Sequence, residues 1–141
     1  WLQKTITAAE LIGQIEIIND RISVFFIDID EMKIFNDLNS RLKGDQVLCL
    51  LQQQLSEYNG KDAYLGSDEY IVILDNMGLS KCTNVANEIR ELSVYPSLTV
   101  VYTNNVSGRY IKQTIVKLKK GMSKVKQQQN NIIAYIKWDM L

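Results

Sequence analysis

The sequence contains no histidine. That excludes His-ligated metals, Ser-His-Asp triads and imidazole acid–base chemistry. Any chemistry must run on carboxylates, lysines and hydroxyls. Cysteine is scarce: Cys49 and Cys82 lie far apart with no CxxC, so neither a zinc site nor a disulfide scaffold is suggested. No apolar run approaches the ~20 residues that a spanning helix needs. The longest, Ile22 to Ile29, has strand length, and no secretory segment opens the chain. What remains is an ordinary globular composition: 141 residues, 46% hydrophobic and 23% charged, enough for one domain and one core. The start at Trp1 rather than Met leads to the expectation of a single domain, 1–141, taken from a longer protein.

An overall excess of charge is also missing, with 16 basic and 16 acidic residues. The distribution is uneven. Residues 1–108 hold 8 basic and 15 acidic side chains, net −7; residues 109–141 hold 8 basic and one acidic, net +7. Either the C-terminal lysines form a solvated helix face, or upstream carboxylates hold cations while downstream lysines meet phosphates.

Thr7-Ala8-Ala9-Glu10 has capping-box spacing, and Leu11, Ile12, Ile15 and Ile18 predict a helix over 8–19. Ile22 to Ile27 reads as a central strand buried on both faces, running into Asp28-Ile29-Asp30-Glu31. A short helix is expected over Glu31 to Leu38, then a loop carrying Gly44, then a helix from about Asp45 to Glu57. Asn59-Gly60 marks a turn. Ala63–Leu65 and Tyr70–Leu74 read as a hairpin around Gly66, Ser67, Asp68 and Glu69. Ser80 is a candidate cap for a helix with Cys82, Val85, Ile89 and Leu92 inward. Pro96 precedes a strand over Leu98–Tyr102, and 103–109 reads as a polar loop. A last helix over Tyr110–Gln128 and a strand over Asn131–Ile136 close the chain. One hairpin among alternating helices and strands predicts an α/β (α+β) sandwich. Its expected form is ferredoxin-like or polymerase-palm, with a mixed or antiparallel sheet flanked by helices and the tight turn on a hairpin.

If the hairpin pairs beside the first strand, Asp28, Asp68 and Glu69 converge at one edge of the sheet, with Asp30 on the face of Asp28. Such carboxylates repel one another unless a cation sits among them. Hard oxygen ligands suit Mg²⁺ or Mn²⁺, and Mg²⁺ brings a phosphate substrate. The plainer alternative is that Asp68 and Glu69 are polar turn residues.

The spacing Asp28-Ile29-Asp30-Glu31-Met32-Lys33-Ile34-Phe35-Asn36-Asp37, then Gly44-Asp45, then Gly66-Ser67-Asp68-Glu69-Tyr70 resembles the GGDEF family of diguanylate cyclases. The resemblance implies a palm-like fold. It implies that Asp28, Asp68 and the carbonyl of Ile29 hold Mg²⁺ or Mn²⁺, and that Glu69 is the second acid near the reacting hydroxyl. Lys33, with the backbone of Glu31 and Met32, matches the segment that holds the terminal phosphates. Asn36 and Asp45 match the pair that reads guanine, which favours GTP. Lys126 aligns with a phosphate-binding lysine of the last helix, whereas Lys112 and Lys119 are expected on the solvated face. The implied activity joins two GTP into cyclic di-GMP, which needs a homodimer at least transiently. The implied setting is cytoplasmic, either free or as the cytoplasmic part of a membrane-anchored protein, driven by an upstream regulatory domain, with no nucleic-acid or membrane contact from this segment.

The departures are specific. Ser67 replaces the second glycine of the signature, Ser40-Arg41 replaces Gly-His, and Asn130 stands where the family has an arginine. Glu57-Tyr58-Asn59-Gly60 occupies the place of the product-inhibition RxxD, and no LTGLxNR-like opening is present. Two alternatives therefore stay open. One is a degenerate domain that binds GTP or a protein partner without turnover. The other is a minimal CRISPR-polymerase-like cyclic nucleotide synthase.

Overall fold

The computed structural model describes residues 7–58, 60–92 and 97–138. Asn59 of the expected turn and Pro96 lie outside the described residues. The element order is α1 (Ala8–Glu16), β1 (Arg21–Ile29), α2 (Met32–Leu38), α3 (Arg41–Leu55), β2 (Lys61–Gly66), β3 (Glu69–Asp75), α4 (Leu79–Arg90), β4 (Leu98–Ser107), α5 (Ile111–Gln128) and β5 (Ile133–Tyr135). The five strands form one sheet in the order β2-β3-β1-β4-β5. All neighbours are antiparallel except β4 and β5, which run parallel with α5 as the crossover. The expected α+β sandwich with a mixed sheet is what the chain builds.

β1 sits at the centre because its apolar run has no polar face to expose. Alternate residues go to opposite layers. Phe25, Ile27 and Ile29 pack with Leu51 and Leu55 of α3 and with Cys82, Ala86 and Ile89 of α4. Val24 and Phe26 pack with Leu11 and Ile15 of α1 and with Leu118 and Met122 of α5. The strand is thus covered on both sides, and its last residues, Asp28 and Ile29, reach the edge where the hairpin turns.

Thr7 caps α1 as the capping box predicts: its hydroxyl accepts from the Glu10 amide at 3.1 Å. The helix nevertheless ends at Glu16, short of the expected residue 19. The helix expected from Asp45 starts instead at Arg41, because the Ser40 hydroxyl accepts from the Lys43 amide at 3.2 Å and caps it. Gly44 is therefore in the first turn of α3, not in a loop. Ser80 lies inside α4, whose N-cap is Gly78. The expected polar loop 103–109 is largely strand: β4 continues through Ser107, pairing with Arg21 and Ile22 across a register shift. Val106 is fully buried there, and Asn104 and Asn105 are held by Met77 and Asn76. The last strand is shorter than expected, at Ile133–Tyr135.

The hairpin turn is as tight as its sequence suggests. Ser67 (φ 51°) and Asp68 (φ 65°) both lie in the left-handed region, the geometry of a two-residue turn between twisted strands. Gly66 precedes them at φ 90°. Serine carries a steric cost in that region which glycine avoids.

Candidate active site

The antiparallel ladder places Glu69 directly opposite Asp28. The Ile29 amide donates to the Asp68 carbonyl at 3.2 Å, so the turn is fastened to the end of β1. Three of the expected residues, Asp28, Asp68 and Glu69, thus meet at one edge because the hairpin pairs with the central strand.

Lys126, in the last turn of α5, reaches across to this edge. Its Nζ lies 3.3 Å from Asp28 Oδ2 and 3.1 Å from Asp30 Oδ1. Asp30 is 1% exposed, and its carboxylate is saturated with donors. Ser97 Oγ donates at 2.6 Å, Thr99 Oγ1 at 2.7 Å and the Asn131 amide at 3.0 Å. Among the described residues Asp28 has only the shared lysine. Burial pushes its carboxyl up from 3.8 to about 6, against the pull of Lys126 and with repulsion from Glu69 and Asp30 adding to the rise. Burial also raises the Asp68 carboxyl, again opposed by Lys126. Lys119, expected on the solvated face, is exposed but stands 3.7 Å from Glu69 Oε1. Lys112 does lie at the surface, paired with Glu16 of α1.

A cavity of about 510 Å³ opens beside this cluster. Lys33, Asn36 and Asp37 of α2, Arg41, Gly44 and Asp45 of α3, and Tyr64 and Asp68 of the hairpin line it, over Met32 and Leu48. Asn36 fits because Gly44 has no side chain: a Cβ there would collide with Asn36 Oδ1. Asn36 and Asp45 are both exposed, so an acceptor at Asp45 becomes buried only under a bound base. Tyr70 ties the hairpin to α3 through its hydroxyl, which donates to the Leu48 carbonyl at 3.1 Å. Tyr64 stands against Tyr70 with ring centroids 4.9 Å apart.

Asp68 is common to the carboxylate edge and the cavity. Met32, Lys33, Asn36, Asp45 and Asp68 of the expected set line the cavity; Asp28, Ile29, Glu69 and Lys126 belong to the edge. Glu31 lines neither in these contacts. It is the N-cap of α2 at φ 53°, with its carbonyl accepting from Phe35. Lys126 engages carboxylates and is not among the residues lining the cavity.

Four contributors carry no functional signal in the sequence: Arg41, Tyr64, Ser97 and Thr99. Arg41 registered only as a departure from the family pattern, yet it lines the cavity. Tyr64 carried no signal beyond strand propensity. The hydroxyls of Ser97 and Thr99 gather on Asp30 from residues 67 and 69 positions away.

Among the described residues, no group of three or more Cys, Asp or Glu side chains is placed to hold a metal ion. The expected set needs only two carboxylates and a carbonyl. Asp28 and Asp68 fit a hard cation in donor chemistry, since both are oxygen ligands and Asp28 is a half-buried carboxyl whose Lys126 cation is shared with Asp30. No helix among the described residues is long and apolar enough to cross a membrane.

A family model described as the diguanylate cyclase GGDEF domain matches residues 7–130. A diguanylate cyclase of Vibrio cholerae is 34% identical over 76 residues, covering 50% of this chain and 23% of that protein. The signaling protein YkoW of Bacillus subtilis is 38% identical over 71 residues, 47% of this chain and 9% of that one. The chain thus matches less than a quarter of the length of these curated relatives. Among solved structures, the active GGEEF domain of a Vibrio cholerae diguanylate cyclase superposes with a TM-score of 0.78 at 20% identity, covering 96% of this chain and 100% of that one. The GGDEF domain of YfiN from Pseudomonas aeruginosa does so with a TM-score of 0.82 at 18% identity, covering 96% and 99%. At such identities the superpositions speak for a shared fold.

Proposed function

The chain belongs to the GGDEF family of diguanylate cyclases, and from that premise we propose that it binds GTP in the 510 Å³ cavity and condenses two GTP into cyclic di-GMP. The observation that carries this reading is the position of Asp68, which belongs at once to the cavity and to the carboxylate edge. A base held by Asn36 and Asp45 then has its phosphates directed toward that edge. Lys33 supplies a cation on the way.

Asp28, Asp68 and the Ile29 carbonyl are the proposed holders of Mg²⁺ or Mn²⁺. Bound there, such an ion supplies charge for a hydroxyl nucleophile and a leaving pyrophosphate. The 3′-hydroxyl oxygen of one GTP forms a bond to the α-phosphorus of the other. The bond from that phosphorus to the pyrophosphate oxygen breaks, and the step repeats in the opposite sense. Glu69, opposite Asp28, is the acid proposed to take the hydroxyl proton. The described residues hold one such cavity–edge combination, so joining two GTP requires two copies to face each other.

A second reading is favoured by one observation: Lys126 is tied to Asp28 and Asp30. On this reading, the domain binds GTP without turnover. Incubation with GTP, and separately ATP, plus Mg²⁺ or Mn²⁺, followed by mass analysis, separates the two. Cyclic di-GMP from the parent and none from Asp68→Asn is the expected result. GTP bound by the parent but left intact overturns the cyclase reading and keeps the second.

A further inference from the structure

Among the described residues Arg41 is a cation without a partner, in a cavity lined by three acids, Asp37, Asp45 and Asp68. It is the first residue of α3 and lines the cavity with Asn36, Asp37 and Asp45. Its guanidinium makes no ion pair or hydrogen bond among the described residues. Arg41 and Asp45 are four positions apart on one helix. They share a face, one turn apart, with Cβ atoms ~5–6 Å from each other. Arginine is donor-only, and an ionised aspartate is acceptor-only. The helix face therefore presents a donor fork and then an acceptor.

Guanine carries the complement of that pattern. N7 and O6 accept along one edge, and the adjoining edge donates from N1 and N2. Adenine has an amino donor where guanine has O6, so a guanidinium placed there meets a donor with a donor. The planar fork of arginine matches two adjacent acceptors in a way that a lysine ammonium does not. We propose that Arg41 is a specificity-determining residue for guanine, donating to O6 and N7 while Asp45 and Asn36 take the donor edge. This rests on the reading that the cavity binds GTP. It gives a role to a substitution that otherwise counts only as loss of the family's Gly-His.

The test uses 7-deaza-GTP, in which a carbon replaces N7, beside GTP and ATP. Equilibrium titrations are run on the parent, Arg41→Ala and Lys33→Ala in the same divalent-ion buffer. Arg41 is exposed, and thermal melting checks that its variant is folded. The parent is expected to bind 7-deaza-GTP about tenfold more weakly than GTP. Arg41→Ala is expected to bind both alike, at the weaker level, and to lose part of the preference over ATP. Lys33→Ala weakens both by the same factor. Equal binding of GTP and 7-deaza-GTP by the parent, or an unchanged ratio in Arg41→Ala, overturns the role of Arg41 and leaves the nucleotide reading standing. No GTP binding by the parent overturns both.

Discussion

The two halves of the site are built on opposite principles. At the carboxylate edge most charges have company: Lys126 bridges Asp28 and Asp30, Lys119 approaches Glu69, and Asp30 collects three further donors. In the cavity the polar groups that would meet a base, Asn36, Arg41 and Asp45, are exposed and make no bonds to one another. The first half resembles a closed ionic core, in which removing one partner leaves others stranded. The second is open, and removing one partner costs nothing until a ligand arrives. Stability should therefore be written at the edge and selectivity in the cavity, and substitutions can tell the two apart.

The largest effect is expected at Lys126. Lys126→Met keeps much of the apolar stem but removes the one cation that, among the described residues, is shared by Asp28 and the nearly inaccessible Asp30. Breaking a largely buried ion cluster from one side should destabilise the fold by about 3 kcal/mol in urea titrations at pH 7. Adding Asp28→Asn to it should recover part of that loss. An unchanged midpoint in Lys126→Met would show that the edge is not an ionic core.

Next is the pH dependence carried by Asp28. Its carboxyl stands at about 6 in the folded chain against the ordinary 3.8, so the folded form holds the proton more tightly. The contribution favours folding below about pH 4 and is lost as pH rises through about 6. Without divalent ions, Asp28→Asn should therefore be more stable than the parent at pH 7.5, by up to about 3 kcal/mol. The two should converge near pH 4. A parent whose stability rises between pH 4 and 7 relative to Asp28→Asn contradicts this sign.

A smaller effect, and one confined to ligand binding, is expected in the cavity. The Cβ of Gly44→Ala would displace the amide end of Asn36, which can swing into solvent. Alanine is also the better helix former, by ~1 kcal/mol. The variant should melt at or above the parent temperature yet bind GTP about tenfold more weakly, the equivalent of ~1.4 kcal/mol. Loss of both stability and binding would mean that the cavity, too, is part of the core. Smallest of all is Lys119→Ala. Its ammonium is exposed and 3.7 Å from Glu69, so stability should change by less than about 0.5 kcal/mol.

The same division explains what the sequence could reveal. β1 and the hairpin were readable because apolar periodicity is a local signal, and the ladder then carried Asp28 to Glu69. The early start of α3 was hidden because Gly44 reads as a loop residue, while the cap that decides the matter is Ser40. The extension of β4 was hidden because Asn104 and Asn105 look like a turn; their partners lie across the chain at Met77 and Asn76. The family alignment puts Lys126 at the phosphates, whereas its ammonium engages Asp28 and Asp30, a contact that depends on how α5 packs and that no local pattern encodes. Against the family motif Arg41 reads as a departure; its place in the cavity depends on the side chains one turn away.

The ring of donors around Asp30 also has a consequence for how the chain is made. Two of its members come from the start of β4, and the last, the Asn131 amide, comes from beyond α5. During synthesis β1, β3 and β4 can pair before residue 131 has left the ribosome, and Asp30 then lies at the edge of an incomplete cage. The emergence of Lys126 and Asn131 completes it. A chain stopped after Thr114 would still contain the three central strands but would bury an acid with neither its cation nor its final amide. Such a fragment should stay open at that corner: the stretch from Lys126 to Asn131 closes a cage that the central strands leave unfinished.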